Sequence, residues 1–429
     1  MSIKGVILQK PEALFNHLKG GRALMEKVEV PGFLNFIWLG EYSDADFGYI
    51  QVWQRFNPDM MAQLWSDDSA RLCRKFQLCL QRWCAIHPEQ SLIELQNRAF
   101  AYIYPKVITG ETFDSAAVSF LNTTGINYKH LTDNKNREVS SLTNNIARRN
   151  ILSLFEGSEV RYRKLYYYEL ILRGNLASAS DIIRLLILFR FGGVYLDIDT
   201  LPDISNIFRK TRQVEINLGL ENDERTGLAK SAAFMAWFEG DNEVIAQAEK
   251  YLPDNTSLSE NNLLSLKKSI IADLSIADEN SFTPLGEIMV YPDYILVGTV
   301  DFLPGVFFNN FLCASPGSRL VRIILKTIYR HYTYLEKNNA IFSLENSMVS
   351  GPYCEILQGY RRRYDSFSDP ITRWLTGPGA IIDTLTGLVY RLSPEAKTIP
   401  PEELGVMLQC EESNLTIKKQ TLDTPMGLK

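Results

Sequence analysis

Residues 177–202 read ASASDIIRLLILFRFGGVYLDIDTLP, and this stretch decides the fold. Apolar side chains fill most positions of residues 180–191, which predicts a largely buried helix. Gly192 and Gly193 suit the end of that helix, because glycine readily adopts the left-handed conformation that is common there. The apolar run at residues 194–198 is typical of a strand buried on both faces. The stretch therefore predicts a helix, a reversal and a buried strand.

Three polar side chains interrupt the apolar helix. Ser180 is suited to cap its N-terminus, and Asp181 would then lie in the first turn, where the helix dipole favours negative charge. Asp181 and Arg184 are three residues apart and therefore share one face. These side chains are the polar exceptions on an element that is otherwise expected to be buried.

Two carboxylates, Asp197 and Asp199, follow the buried strand. A bare D-x-D sequence occurs by chance in many loops, but carboxylates at the end of a buried strand need solvent, a paired group or a metal ion. Their oxygen atoms suit Mn²⁺ or Mg²⁺ and a diphosphate. Glycoside hydrolysis would instead need opposed carboxyl groups at least about 5 Å apart. Side chains two residues apart are better suited to holding a metal.

Two further strands are predicted nearer the N-terminus, at residues 33–39 and 60–65, with a helix at residues 51–56 between them. A strand–helix–strand order predicts a parallel sheet, and therefore an α/β fold. Ligands of such sheets bind at the edge where the strands end.

This rule predicts which side chains share the ligand edge. Trp38, Asp67 and Asp68 stand at the ends of the first two predicted strands, as Asp197 and Asp199 do at a later one. We expect them on one rim, although Trp38 would serve equally well as a core aromatic.

The remaining chain is predicted in coarser terms. Residues 1–32 are expected to form a lead-in helix, and residues 33–429 a single domain. Helical periodicity dominates residues 70–175 and 241–280, which we expect to be helical insertions. Residues 231–238 resemble a strand.

A later predicted strand, at residues 305–314, carries two amides in an aromatic run. At least one of Asn309 and Asn310 should be fixed by hydrogen bonds. Two turns with a Ser/Thr-Gly-Pro sequence follow, at residues 350–352 and 376–378.

Composition excludes several classes of protein. A formal charge of −5 argues against a general nucleic-acid binder. The six cysteines form no C-x-x-C pair, which favours core thiols in a reducing compartment. With only four histidines, in unlike contexts, a histidine-based zinc site is disfavoured. No G-x-S-x-G elbow, Walker-type loop, membrane span or secretory signal is recognisable.

The central stretch resembles the key motif of the glycosyltransferase domain of the large clostridial glucosylating toxins. It also resembles the wider set of DXD sugar transferases, which includes bacterial effectors and yeast-type mannosyltransferases. Outer segments resemble the same family in order through residues 33–380: FIWLG at 36–40, W-x-x-x-N-P at 53–58, LWSDD at 64–68 and FNNFLCASPGS at 308–318.

The resemblance implies a GT-A fold, with a Rossmann-like central mixed sheet flanked by helices. It further implies a retaining, UDP-sugar-dependent hexosyltransferase that uses a divalent metal ion, usually Mn²⁺. Trp38 would stack on the uracil, with Ile37 beside it. Leu176, Ser180 and Tyr195 would help to frame the donor.

The acidic and amide residues take further roles in this resemblance. Asp181 and Arg184 would hold the sugar hydroxyls and the phosphate–sugar region. Either Asn309 or Asn310 would contact the sugar near the reaction centre. Asp197 would contact the ribose or sugar and bind the metal through water, and Asp199 would ligate it directly.

The chain departs from the toxin pattern at the C-terminal loop that closes the site, which in the family supplies a Glu, a Ser and a Trp. Glu411, Glu412 and Ser413 are the nearest counterparts, which makes Glu412 a further candidate metal ligand. The last tryptophan is Trp374, so the tail lacks one.

The predicted function is transfer of a sugar, with glucose favoured, to a host protein such as a small GTPase. The protein would then be a secreted effector or toxin that acts in the host cytoplasm. Peripheral contact with a membrane is compatible with this prediction. One alternative is a bacterial cytoplasmic transferase that builds a polysaccharide or glycolipid. A second is a non-catalytic module that binds sugar nucleotides.

Overall fold

The structure is a computed structural model. It describes residues 26–42, 47–127, 146–221, 223–241, 243–252, 258–300, 303–343, 356–357, 359–362, 370–410, 413–418 and 421–422. The described residues divide into two compact units. The larger unit lies within Met1–Ala45, Gln63–Tyr195 and Met289–Ile417, and the smaller lies within Asp46–Ala62, Leu196–Ile288 and Lys418–Lys429.

The described residues contain both strands and helices. The strands are β1 (Val28–Glu29), β2 (Phe33–Trp38), β3 (Met61–Ser66), β4 (Ala147–Asn150), β5 (Gly193–Leu196), β6 (Leu201–Pro202), β7 (Met289–Val290), β8 (Ile295–Thr299), β9 (Phe307–Ala314), β10 (Thr416–Lys418) and β11 (Thr421–Leu422). The α-helices are α1 (Gly48–Phe56), α2 (Cys73–Ile86), α3 (Leu92–Ile108), α4 (Phe113–Thr123), α5 (Val160–Tyr167), α6 (Leu176–Phe191), α7 (Arg209–Leu218), α8 (Glu224–Glu239), α9 (Val244–Glu249), α10 (Glu260–Leu274), α11 (Arg319–Lys337), α12 (Pro370–Leu375), α13 (Pro378–Leu392) and α14 (Pro401–Leu408). A π-helix at Tyr168–Arg173 lies between α5 and α6.

A seven-stranded mixed sheet has the order β10-β8-β9-β5-β2-β3-β4. The predicted parallel arrangement is confirmed at β2 with β5 and at β3 with β4, whereas β8 and β9 are antiparallel. Strands β2 and β3 end within a residue of their predicted limits. The observed sheet is therefore the centre of an α/β fold.

The predicted reversal between α6 and β5 is confirmed. Gly192 and Gly193 both have positive φ angles, of 67° and 90°. A Cβ atom on Gly192 would lie 2.6 Å from Pro316 Cδ, and one on Gly193 would lie 2.8 Å from the carbonyl oxygen of Phe33. Backbone conformation and close packing both require glycine at these positions.

The prediction that Ser180 caps α6 is wrong. The helix begins a turn earlier, at Leu176, and Asn175 is its N-cap. The side chain of Asn175 accepts a hydrogen bond from Ser178 N at 2.9 Å, which satisfies one free amide of the first turn. Ser180 and Asp181 therefore lie inside the helix.

Asn35 joins three strands at the centre of the sheet. Its side chain is fully buried on β2. Its Nδ2 donates to the carbonyl oxygens of Gly192, at 3.3 Å, and of Val194, at 3.2 Å. Its Oδ1 accepts from Trp65 Nε1 on β3 at 3.0 Å. These three bonds use both amide hydrogens and one of the two oxygen lone pairs of the buried side chain.

Helix α6 supplies much of the core of the larger unit. Six consecutive or near-consecutive apolar side chains are fully buried, namely Ile182, Ile183, Leu185, Leu186, Ile187 and Leu188. They pack with apolar side chains of α2 to α5, α11 and α13. Each buried aliphatic side chain contributes roughly 1.5–3 kcal/mol relative to exposure, which explains why apolar residues dominate this helix.

The smaller unit has its own core, formed by α1, α8, α10 and β6. Residues 231–238, predicted to be a strand, lie inside α8, so that prediction is wrong. Ala229, Ala233 and Ala236 are buried at helical spacing, and Asp223 caps the helix by accepting from Thr226 N at 2.9 Å. The apolar run there lacks the alternation of a half-buried strand, and its alanines favour a helix.

The other coarse predictions have mixed outcomes. Of the predicted lead-in helix, residues 1–25 lie outside the described residues, and Val28–Glu29 forms strand β1, which pairs antiparallel with β7. Residues 70–175 contain α2 to α5, and residues 241–280 contain α9 and α10. Their role as insertions stays a prediction.

No described helix combines the length and the apolar character needed to cross a membrane.

Candidate active site

A buried ion pair lies inside helix α6. Arg184 Nη2 is 3.2 Å from Asp181 Oδ1, and both side chains are at most 6% exposed. The predicted pairing of these residues on one helix face is therefore confirmed. A buried carboxylate of this kind needs its charge and its lone pairs satisfied by protein groups.

Strand β9 supplies the second partner of Asp181. Asn309 Nδ2 donates to Asp181 Oδ1 at 2.8 Å, and the main-chain oxygen of Asn309 accepts from Arg184 Nη1 at 2.6 Å. The structure thus brings Asn309 to Asp181, while a sugar contact by Asn309 or Asn310 stays a prediction.

Thr376 is the third partner of Asp181, and the sequence analysis missed it. Its hydroxyl is buried and donates to Asp181 Oδ2 at 2.9 Å. Thr376 begins one of the two Ser/Thr-Gly-Pro turns, which was the available signal. We refer to Asp181, Arg184, Asn309 and Thr376 as the Asp181 cluster.

Tyr195 and Ser180 border the Asp181 cluster. The guanidinium carbon of Arg184 lies 4.5 Å from the centre of the Tyr195 ring, within the range of a cation–π contact. Ser180 Oγ accepts from Arg184 Nη2 at 3.4 Å and is 3.5 Å from the Tyr195 hydroxyl. Leu176, another predicted donor contact, is half-buried and packs against the core of the larger unit.

Trp38 and Ile37 lie at the end of β2. Trp38 is 8% exposed, its Nε1 donates to the carbonyl oxygen of Glu41 at 2.9 Å, and the guanidinium carbon of Arg74 is 5.9 Å from its ring centre. Ile37 belongs to the core of the larger unit. The positions at the strand end are as expected, and their contact with a nucleotide stays a prediction.

The end of β3 lies beside the residues that follow β2. The Tyr42 hydroxyl donates to Asp68 Oδ1 at 2.8 Å and accepts from Ser66 Oγ at 2.7 Å, which links the two strand ends. Asp67 instead turns inward: its carboxylate accepts from Ser69 N, Ser69 Oγ and the Tyr166 hydroxyl.

Burial raises the pKa of Asp67 above its ordinary value, an effect that the hydrogen bonds from Ser69 and Tyr166 partly offset. Asp67 is therefore tied into the turn after β3, whereas the exposed Asp68 pairs with Tyr42 and Arg71.

Asp197 and Asp199 belong to the smaller unit, where they follow β5 directly in the chain. Both residues are half-buried. Thr200 N donates to the carbonyl oxygen of Asp197 at 3.0 Å, which closes a tight turn. We call residues 197–200 the DXD turn.

The W-x-x-x-N-P segment supports the DXD turn within the smaller unit. Trp53 is fully buried, and its Nε1 donates to the carbonyl oxygen of Thr200 at 2.6 Å. Asn57 Nδ2 donates to the carbonyl oxygen of Trp53 at 3.0 Å, and Asn57 Oδ1 accepts from Leu285 N at 2.7 Å. Trp53 thus holds the main chain of the DXD turn, and Asn57 in turn holds Trp53.

The DXD turn fits a divalent metal ion that is completed by its substrate. Within the described ranges, no group of three or more His, Cys, Asp or Glu side chains is arranged to hold a metal. Mg²⁺-type sites in nucleotide enzymes use one or two carboxylates, together with water and substrate phosphates. Two aspartates in one turn match that donor set.

The predicted C-terminal lid is only partly described. Glu411 and Glu412 lie outside the described residues. Ser413 is buried, its Oγ donates to the carbonyl oxygen of Leu408 at 2.8 Å, and it accepts from Leu415 N at 3.1 Å. Ser413 therefore bonds to the last residue of helix α14, and its role as a lid serine stays a prediction.

The central mixed sheet flanked by helices is that of a GT-A fold. Residues 33–350 match the family model described as the TcdA/TcdB catalytic glycosyltransferase domain. The chain belongs to this family, and it is a glycosyltransferase.

Two curated relatives are toxins. Toxin A of Clostridium novyi is 26% identical over 336 residues, which cover 70% of this chain and 14% of the toxin. Toxin B of Clostridioides difficile is 27% identical over 332 residues, which cover 70% of this chain and 13% of the toxin. The chain thus matches only about one seventh of the length of these relatives.

Solved structures share the fold. The catalytic domain of alpha-toxin from Clostridium novyi superposes with a TM-score of 0.66 at 18% identity, covering 91% of this chain and 79% of that domain. The UDP-bound glycosyltransferase domain from the YGT toxin gives a TM-score of 0.55 at 16% identity, covering 91% and 80%.

Proposed function

We propose that the protein is a retaining glycosyltransferase that moves glucose from UDP-glucose to a protein acceptor. It would act as a toxin or effector on a host protein in the host cytoplasm, and a small GTPase is the first candidate acceptor. Membership of the TcdA/TcdB family supports this proposal, as do the relatives named as toxins and the related domain described as UDP-bound.

The observation that carries the proposal is the Asp181 cluster. Both oxygens of one buried carboxylate are held by side chains from three separate segments of the larger unit. Retention requires attack on the face that the leaving group vacates, so the sugar must be held in one orientation. A carboxylate and an arginine that are fixed before the donor binds can provide that orientation without reorganising.

The other predicted donor residues complete the proposal. Trp38 would stack on uracil, and Asp199 would ligate the metal directly, with Asp197 bound through water. The metal, when bound, would neutralise charge on the departing diphosphate. Phe308 and Phe311 flank the Asn309–Asn310 pair in sequence, and such crowding favours glucose over N-acetylglucosamine.

The first test is a screen of sugar nucleotides by release of the nucleoside diphosphate. With Mn²⁺ present, UDP-glucose should release UDP even without an acceptor, and faster than UDP-N-acetylglucosamine, UDP-galactose or GDP-mannose. Chelation of the metal should stop the release. If no UDP-sugar is bound or turned over, the proposed function fails.

The second test identifies the acceptor class. Host-cell lysate is incubated with radiolabelled UDP-glucose and the enzyme, and a purified small GTPase is assayed alongside. Label in discrete protein bands would support a protein acceptor. Label that enters only lipid or polysaccharide would replace this proposal with the alternative in which the enzyme builds a glycan.

A further inference from the structure

Thr376 is placed by a short structural unit that begins with helix α12. The amide of Thr376 donates to the carbonyl oxygen of Thr372 at 3.2 Å, and that of Gly377 donates to the same oxygen at 2.9 Å. Helix α13 then begins at Pro378, so the Thr-Gly-Pro turn joins two helices. Residues 376–378 lie beyond the segment that matches the family model, which ends at residue 350.

Helix α12 is anchored to the start of α6 by a hydroxyl one turn before Thr376. Thr372 Oγ1 accepts from Asn175 Nδ2 at 2.6 Å and from Ser178 Oγ at 3.1 Å. Asn175 is the N-cap of α6, and Ser178 lies in its first turn. The four-residue spacing of Thr372 and Thr376 puts both hydroxyls on one side of the segment, directed at successive turns of α6.

This anchor has a rigid support. Arg173 Nη2 donates to Thr372 Oγ1 at 3.4 Å, and Arg173 Nη1 is 2.9 Å from Glu169 Oε2. Glu169 is fully buried, and its Oε1 accepts from the hydroxyls of Tyr332, at 2.6 Å, and Tyr360, at 2.8 Å. A satisfied buried network of this kind holds its members in one arrangement.

The single proton of the Thr376 hydroxyl is directed to Asp181. Two acceptors are in range, Asp181 Oδ2 at 2.9 Å and the carbonyl oxygen of Thr372 at 3.4 Å. The shorter contact is also the charge-assisted one, which is roughly twice as strong as a bond between neutral groups. The carboxylate is thus gripped on opposite sides, with Oδ1 held by Arg184 and Asn309 and Oδ2 held by Thr376.

We infer that Thr376 is a positioning residue for sugar transfer, acting through Asp181. Without its hydroxyl, the Asp181 carboxylate would lose the hydrogen bond that ties its Oδ2 to the Thr-Gly-Pro turn, and its orientation would be less restricted. The role of Thr376 rests on the proposed function, because it matters to catalysis only if Asp181 contacts the donor sugar. Thr376 itself need not touch the donor.

Three variants test this inference. Thr376→Val is nearly isosteric and removes only the hydroxyl, whereas Thr376→Ser keeps it. Thr384→Val is the matched control, because Thr384 is a buried threonine of α13 whose hydroxyl bonds to its own helix, at Ala380 O, 2.7 Å away. Each protein is assayed for kcat and KM with UDP-glucose, for UDP affinity by calorimetry and for melting temperature.

We expect Thr376→Val to lower kcat about 10- to 100-fold, with UDP affinity changed less than about twofold, because the bond orients the sugar rather than the nucleotide. Thr376→Ser should recover most of the activity, and Thr384→Val should behave as the wild type. Equal losses in Thr376→Val and Thr376→Ser would overturn the inference, because serine keeps the hydroxyl on which it depends. So would wild-type turnover by Thr376→Val.

Crystal structures of the wild type and Thr376→Val separate this inference from the proposed function. In the variant, we expect the Asp181 carboxylate to rotate and its bond with Asn309 to lengthen. An unmoved carboxylate would overturn the positioning role whatever the activity. A rotated carboxylate in an enzyme whose wild type uses no UDP-sugar would support the contact and refute the donor chemistry.

Discussion

The Asp181 cluster and the DXD turn hold their aspartates in different ways. Around Asp181, side chains of Arg184, Asn309 and Thr376 converge on a carboxylate that is 3% exposed. The DXD turn is fixed through its main chain, by the amide of Thr200 and the indole of Trp53, and its aspartates are half-buried.

The difference indicates which kind of ligand each carboxylate suits. A carboxylate gripped by neutral and cationic side chains is oriented before any ligand arrives, so it suits recognition of a fixed group such as a sugar hydroxyl. Hydrogen bonds to the backbone of a turn fix the main-chain positions of its two aspartates. A divalent cation can then bind the two carboxylates. Substitutions in the two regions should therefore fail in different assays.

The largest effect is expected at the DXD turn itself. Asp199→Asn removes the negative charge of the proposed direct metal ligand and should lower Mn²⁺-dependent UDP release roughly 1,000-fold or more, with the melting temperature unchanged. Asp203→Asn is the control, since Asp203 lies four residues on and accepts from Ser205 N at 2.8 Å, a bond that asparagine can keep. Retained activity in Asp199→Asn would exclude its metal role.

A smaller effect should follow from removing the hydrogen bond between Trp53 and the main chain of the DXD turn. Trp53→Phe removes the indole donor to the carbonyl oxygen of Thr200 and leaves a buried acceptor unsatisfied, which costs about 1–3 kcal/mol. We expect the melting temperature to fall and the Mn²⁺ concentration for half-maximal activity to rise about tenfold.

The matched control is Trp237→Phe, which alters another tryptophan packed on the core of the smaller unit. It should lower stability without changing the metal requirement. If Trp53→Phe also leaves the metal requirement unchanged, the hydrogen bond from Trp53 to Thr200 does not determine the conformation of the DXD turn.

The smallest effect concerns a carboxylate outside both regions. Burial raises the pKa of Asp114 to about 7, although Leu72 N donates to its Oδ1 at 2.9 Å. Because its pKa is higher in the folded state than the ordinary value of 3.8, the folded protein retains a proton that the unfolded chain releases. This stabilising contribution is complete below the unfolded pKa and is lost as the pH rises through about 7.

Asp114→Asn keeps the acceptor and abolishes the titration. The fall in melting temperature between about pH 5 and about pH 8 should therefore be smaller in this variant than in the wild type. Asp278→Asn is the control: hydrogen bonds from Asn280 and Ser281 lower the pKa of Asp278, so its loss should not alter that interval. An identical pH dependence in Asp114→Asn and the wild type would contradict the assignment.

Features encoded over a few residues were predictable from the sequence. The buried helix, the Gly192–Gly193 reversal and the pairing of Asp181 with Arg184 all depend on spacings within one segment. The cap was misplaced at Ser180 because Asn175 offered a competing side chain a turn earlier.

Features that depend on distant segments were not predictable in the same way. Thr376 is 195 residues from Asp181, and no local pattern links them. The contact of Asn309 with Asp181 joins β9 to α6 across 128 residues, and the strand's own sequence does not specify it. Residues 231–238 were assigned to a strand because their apolar run has no clear period, and packing in the smaller unit decides for a helix.

Asn35 has a consequence for how the sheet finds its pairing. Parallel strands of apolar residues offer several neighbouring alignments of similar hydrophobic burial. A slip of β2 by one residue would move this amide away from Gly192, Val194 and Trp65 and leave it among apolar side chains. The misaligned states would thus bear an unsatisfied polar group, at a cost of about 1–3 kcal/mol for each lost partner. One buried amide thereby selects the native alignment by penalising its competitors.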